Sequence, residues 1–245
     1  MSDTLERTPV GDIVAADFRA ANVLDEYGVD FCCGGPRSLA DACQTAGADL
    51  GAVRRALEAL PTPPAEGDAD VRQWSVDRLI DHVVMTHHAY LRAAMPAIAH
   101  HLATLVNVHS GRHPELTRTA SVFDDLRHEL QQHMLKEEHV LFPYIRELAA
   151  RTDGRPYVSP FGTIENPIRM MEREHRDAGD GLRLIRELTH AFTPPADGCT
   201  TYRACFAELA DFERDLRRHI HLEESVLFPK ALALEQDAGT AGTTF

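Results

Sequence analysis

A chain of 245 residues can form one large domain, or a domain of ordinary size with a small companion, and its 44% apolar content can fill a core. Asp and Glu number 38 against 25 Lys and Arg, a formal charge of -13, so a phosphate backbone or an anionic membrane would repel it and nucleic-acid binding is disfavoured. The polar start MSDTLERTPVGD carries an acid before any apolar run and lacks the basic start and apolar stretch of a signal peptide, and five cysteines are an odd set for a secreted disulfide framework. No run approaches ~18 apolar residues, so a cytoplasmic protein, monomer or dimer, that neither spans nor binds a membrane is expected.

In chain order, VGDIVAADFRAANVLDEYG has Ile13, Val14, Phe18, Ala21, Val23 and Leu24 at helical spacing, with Gly28 as a C-terminal stop. Two shorter helices are expected near 37–46 and 49–60, after VDFCCGGP. These residues, 1–60, form a small N-terminal helical domain that is too short to be stable unless it packs on something. PTPPAEGDAD opens a linker, 61–73. Residues 74–236 then hold four long helical stretches, and 237–245 read as a flexible tail.

The first stretch runs from Ser75, a suitable N-cap, to about Asn107, and the second from Leu116 to Ala150. The third opens at Asn166-Pro167 and ends near Phe192, and the fourth runs from Thr201 to Leu234. SGRHP, RTDGRPYVSPFG and TPPADGC separate them, and nothing reads as a strand. The fold class is therefore all-α. Helices of some thirty residues reach ~45 Å, which suits an up-down-up-down four-helix bundle.

Helices two and four carry the same phrase, HMLKEEHVLFP from His133 and HIHLEESVLFP from His219. His and Glu stand four apart in each, on one helix face. Helix one offers His88 and helix three His175, 45 and 44 residues before the motif histidines, so the bundle reads as two related hairpins. His88, His133, Glu137, His175, His219 and Glu223 supply four imidazoles and two carboxylates, which suit two ions with bridging carboxylates, an oxo or hydroxo bridge and an open position. Mixed nitrogen and oxygen ligation favours iron or manganese over tetrahedral structural zinc. One His-x-x-x-Glu alone is more often an exposed helix pair worth a few tenths of a kcal/mol; its repetition in register argues for metal.

His87 points about 100° away from His88 around the helix. His139 and His221 lie off the ligand face. Glu129 and Glu174 are candidates for holding ligand histidines or handling protons, or are solvated helix charges. Pro143 and Pro229 should bend their helices just past the motif. Cys32 and Cys33, in a glycine-bearing turn, suit neither a Cys-x-x-Cys zinc site nor an unstrained disulfide. They read as a redox or transfer thiol pair that exchanges electrons, binds metal transiently or reacts with nitric oxide, or as two small side chains packed in a turn.

DFCCGG, the bundle histidines and both motif copies together resemble the repair of iron centres family, hemerythrin-like di-iron proteins of the YtfE/ScdA type. So do the TPP-x-x-x-C-T-T stretch at Thr193–Thr201 and the final LFPKALALE. The resemblance implies an ScdA-type N-terminal domain and a hemerythrin-like bundle. Its ligands would be the six residues above, with Cys32 and Cys33 as its cysteine pair. It implies a role under nitrosative or oxidative stress in repairing damaged iron-sulfur proteins, by donating iron from a labile centre. The alternative is a protein that binds or senses nitric oxide or oxygen, or a di-iron enzyme of nitric oxide or nitrite chemistry. The joint RTDGRPYVSPFGTIENP is longer than in the family's shorter members, and whether it covers the bundle end and gates the site is left open by the sequence.

Overall fold

The computed structural model describes residues 2–32, 34–61, 70–151 and 161–240. Among them the fold is all-α, with one isolated backbone bridge, Pro9 to Ser38, as its only extended pairing. The linker's residues 62–69, the joint's residues 152–160, Cys33 and the last five tail residues lie outside the described residues. By contact the chain divides into two compact units that do not follow the linker. One comprises Met1–Asp81, Ile145–Glu165 and Arg217–Phe245, and the other His82–Tyr144 and Asn166–Leu216.

The first unit starts with α1 (Ser2–Arg7), α2 (Val10–Ala16) and α3 (Ala20–Glu26). The helical pattern across 10–28 is thus interrupted, because the Asp17 carboxylate accepts the Arg19 backbone N–H at 3.0 Å and grips its guanidinium, an alternative to helical bonding. Gly28 closes α3 in the left-handed region at φ 67°. Ser38 caps α4 (Leu39–Ala46), and Asp49 caps α5 (Leu50–Glu58), each accepting the N–H three residues on.

Val10, Val14, Leu24, Phe31, Leu39 and Val53 are buried in this unit together with Ile220, Leu222, Phe228 and Ala231 from the chain's last helices. The short N-terminal segment therefore does not stand alone. The unit also holds α6 (Val76–His82), which begins where Ser75 Oγ accepts the Arg78 N–H, and most of α9 (Phe142–Ala150). Arg146 joins the two by bonding Asp77 and Asp81 at 2.9 and 2.6 Å. The last helix, α12 (Phe228–Thr240), runs past 237, so the start of the expected tail is helical.

The second unit is built on α7 (Ala89–His109), α8 (Glu115–Lys136), α10 (Glu165–Leu188) and α11 (Thr200–Leu222), the last two extending beyond it by a few residues. Leu91, Met95, Ile98 and Leu102 of α7 and Leu116, Phe123, Leu126 and Leu130 of α8 form apolar stripes at three- and four-residue spacing. Ala178, Leu182 and Ile185 of α10 and Phe206, Leu209 and Phe212 of α11 complete the core, with Phe123 and Phe212 edge to face at 5.3 Å. Helix α10 begins at Glu165, whose N–H bonds Thr163 Oγ1, so Asn166 and Pro167 sit in its first turn. It stops short of Phe192 because His190, Ala191 and Phe192 all take left-handed φ.

Among the described residues, three long runs contain a π turn: Val83–His88, Glu137–Leu141 and Glu223–Leu227. In the latter two, Phe142 N–H bonds Glu137 O and Phe228 N–H bonds Glu223 O, five residues back. Each is followed by a proline, Pro143 and Pro229, which brings no N–H to continue the α-helical pattern. The expected bend is a widened turn that starts at the motif glutamate itself.

Candidate metal centre

In the second unit, His88, His133, Glu137 and His175 are each at most 2% exposed. His88 ends the first π turn, Glu137 opens the second, His133 precedes it by one helical turn, and α10 brings His175. The Glu137 carboxylate turns Oε2 to His88 Nε2 at 3.3 Å and Oε1 to His133 Nε2 at 3.2 Å. His175 Nε2 stands 3.1 Å from His133 Nε2. One donor atom each from His133, Glu137 and His175 lies within 4.8 Å of the others.

The outer nitrogens are also occupied. His133 Nδ1 donates to Glu174 Oε2 at 2.9 Å, and Lys136 bonds the other oxygen of that carboxylate. His88 Nδ1 donates to Glu138 Oε1 at 2.6 Å, and Arg92 donates to the same oxygen at 2.6 Å. The His133 hydrogen bond is the main reason the Glu174 carboxyl titrates below its usual range. Burial would raise Glu138, but His88 and Arg92 outweigh it and lower it. Burial works against charge on His133, yet the Glu137 and Glu174 carboxylates push it up to about 9. Glu129 is exposed and, with Glu174, His128, Asp177 and Lys136, lines a cavity of about 420 Å³ that reaches His133.

His87 is buried with Nδ1 3.0 Å from Asp215 Oδ1. His139 is exposed. The sequence reading missed Glu138 and Arg92. The doubled glutamate in both motif copies was the available signal, but four-residue spacing from the histidine drew attention only to the first of each pair.

In the first unit, His219 Nε2 and Glu223 Oε1 are 3.0 Å apart, and both residues are fully buried. His221 is buried between Phe18 and Phe31, at ring distances of 6.0 and 5.8 Å, and burial pushes it down to about 4. Cys32 is 5% exposed, with its N–H and its thiol both directed at Asp30 Oδ1, each at 3.1 Å. Arg217, two residues before His219, bonds Asp25 at 2.6 Å, approaches Asp30 at 3.7 Å and lends its charge to the Cys32 sulfur.

Two glycines let the cysteine loop pack this closely. A Cβ on Gly34 would lie 2.6 Å from Asp30 O, and one on Gly35 would lie 3.0 Å from Ser225 Oγ in the last π turn.

Histidine and carboxylate donors converging inside a helical bundle, with carboxylates holding the outer imidazole nitrogens, define a metal-binding helical protein. The chain matches the model of the hemerythrin HHE cation binding domain over residues 79–231, and a domain of unknown function (DUF542, ScdA_N) over residues 6–61. It is 36% identical over 230 residues to the "Iron-sulfur cluster repair protein YtfE" of Edwardsiella ictaluri, covering 94% of this chain and 98% of that one. Its identity to the Enterobacter protein of the same name is 34%, over 93% and 97% of the two chains. A "Probable iron-sulfur cluster repair protein" of Haemophilus influenzae is 33% identical, over 87% and 91%. The chain belongs to the YtfE family of hemerythrin-like iron-sulfur cluster repair proteins. No helix among the described residues is long and apolar enough to cross a membrane.

Proposed function

We propose that His88, His133, Glu137, His175, His219 and Glu223 hold two iron ions with an oxo or hydroxo bridge. The chain then repairs damaged iron-sulfur clusters by giving up iron from that centre, with Cys32 and Cys33 assisting transfer. The observation that carries this reading is the Glu137 carboxylate, which offers one oxygen beside His88 Nε2 and the other beside His133 Nε2. That is the placement a bridging ligand needs. The repeat makes Glu223 its counterpart, and the names of the relatives supply the client class, iron-sulfur proteins.

The donors suit the ion. Buried carboxylates and imidazoles without thiolates favour iron or manganese over a structural zinc site. Bound iron supplies an ion whose affinity for carboxylate and oxo donors falls on reduction, which a donor protein requires. The side chains do the rest. Glu174 and Glu138 hold the proton on Nδ1 of His133 and His88, so Nε2 is the coordinating atom in each. The Glu137 and Glu174 carboxylates also favour protonated His133, so a proton can replace a departing cation. The working site is the cytoplasm of a cell under nitrosative or oxidative stress.

The test uses anaerobically purified, reduced protein with its metal counted, mixed with a nitric-oxide-damaged iron-sulfur enzyme and no added iron. Recovery of the enzyme with loss of iron from the wild type, and no recovery with Glu137→Leu, is the expected result. Both irons retained and no recovery would sink donation and point to nitric oxide or oxygen chemistry at the centre.

A further inference from the structure

His88 is held at both ring nitrogens by consecutive residues. Its Nε2 lies 3.3 Å from Glu137 Oε2, and its Nδ1 donates to Glu138 Oε1 at 2.6 Å. On a regular α-helix, neighbouring side chains point about 100° apart and do not converge on one ring. Here the chain enters its π turn at Glu137, where Phe142 N–H reaches back five residues, and the changed stagger lets both glutamates address the same imidazole.

Glu138 is itself anchored. Arg92 lies four residues after His88, one turn along the run that continues into α7, and donates to the same Oε1 at 2.6 Å. One carboxylate oxygen thus accepts from the imidazole and from a guanidinium, both charge-assisted contacts. A carboxylate can only accept, so Nδ1 of His88 carries a proton, and Nε2, on the Glu137 side, is the ring nitrogen left to give a lone pair to a metal. Phe142 stacks on the ring at 5.9 Å and limits its rotation.

We propose that Glu138, braced by Arg92, is a positioning residue for His88, fixing its tautomer and ring angle so that Nε2 remains a metal donor. This rests on the reading of His88 as a ligand. A surface ion pair that merely touches His88 would leave metal binding unchanged when removed.

The test is anaerobic titration of metal-free protein with ferrous ion, followed by Mössbauer spectroscopy of the loaded protein. Wild type is compared with Glu138→Ala, Glu138→Gln and Arg92→Met. His88→Ala serves as the ligand-loss comparator, and Asp180→Asn, in an exposed pair with Arg183, as the control. Glu138→Ala is expected to weaken one of two iron sites by about 10–100-fold and to alter one of two Mössbauer doublets. Gln, which can still accept from Nδ1, should lose less, as should Arg92→Met. Wild-type affinity and spectrum in Glu138→Ala, with one iron lost in His88→Ala, overturn the proposal. Equal weakening of both sites, matched by a lower melting temperature of the metal-free variant, also overturns it by showing a structural role. Should Glu138→Ala fail to fold, Glu138→Gln and Arg92→Met decide the question in the same way. Two irons retained by His88→Ala would instead sink the ligand assignment on which the proposal rests.

Discussion

His133 and His175 face each other through Nε2 atoms 3.1 Å apart, both buried. Two imidazole lone pairs cannot be stable at that distance unless a proton or a cation lies between them. In metal-free protein a proton on His133 is favoured: burial alone would leave it neutral, but the Glu137 and Glu174 carboxylates push it up to about 9.

That shift fixes the direction of a pH effect. The folded value lies above the unfolded 6.5, so this contribution to metal-free stability is full below 6.5 and is lost as pH rises through about 9. A metal must displace the proton, so metal affinity rises over the same window. Calorimetry of ferrous binding at pH 7, in buffers of different ionisation enthalpy, should show about one proton released from this pair. Release of none would mean that the pair is neutral before loading.

Glu137→Leu removes the carboxylate beside both His88 and His133, and should cost at least one metal ion. His219→Leu takes a donor from the other motif copy and should also lose at least one. Metal counts on the purified variants check this. Full occupancy in both would contradict the six-residue centre.

The four long helices were legible because their apolar residues recur at three and four, and because Ser75 and the joint sequences mark ends. Repetition made the ligand set legible as a pattern. The π turns were not, since a proline three residues after a valine reads equally as a kink, and only the backbone shows that Phe142 bonds to Glu137. That widening is what lets Glu138 reach His88, so a reading based on α-helical spacing passes over it. The break at Asp17 was hidden for a similar reason. Its side chain competes for the Arg19 N–H, and apolar periodicity carries no trace of that bond.

His221 gives an acid-dependent effect of opposite sign. Burial holds it down to about 4, while a Phe31 backbone group pulls the other way. The folded chain therefore binds fewer protons than the unfolded chain between about 6.5 and 4, and stability is lost as pH falls through that window, at up to about 1.4 kcal/mol per pH unit. His221→Phe keeps an aromatic ring beside Phe18 and Phe31 and removes the titration. Acid unfolding of the metal-free variant should have a lower midpoint pH than wild type. An unchanged midpoint would place the acid sensitivity in other groups.

Arg217 provides the last case. It bonds Asp25 at 2.6 Å, with both side chains about four-fifths buried, and approaches Asp30, which accepts from Cys32. Arg217→Met takes the close cation from Asp25 and should cost about 2 kcal/mol, less than the ~3–5 kcal/mol for breaking a fully buried pair because water still reaches part of it. The thiol loses a neighbouring positive charge that favours its thiolate, so alkylation of Cys32 by iodoacetamide at pH 7 should slow in a Cys33→Ser background. Cys32→Ser with Cys33→Ser, by contrast, leaves Arg217 and its carboxylates in place and should retain full metal while transfer of iron slows. Metal loss in the double variant would mean that the thiols are themselves ligands. Unchanged transfer would reduce the pair to packing in a turn.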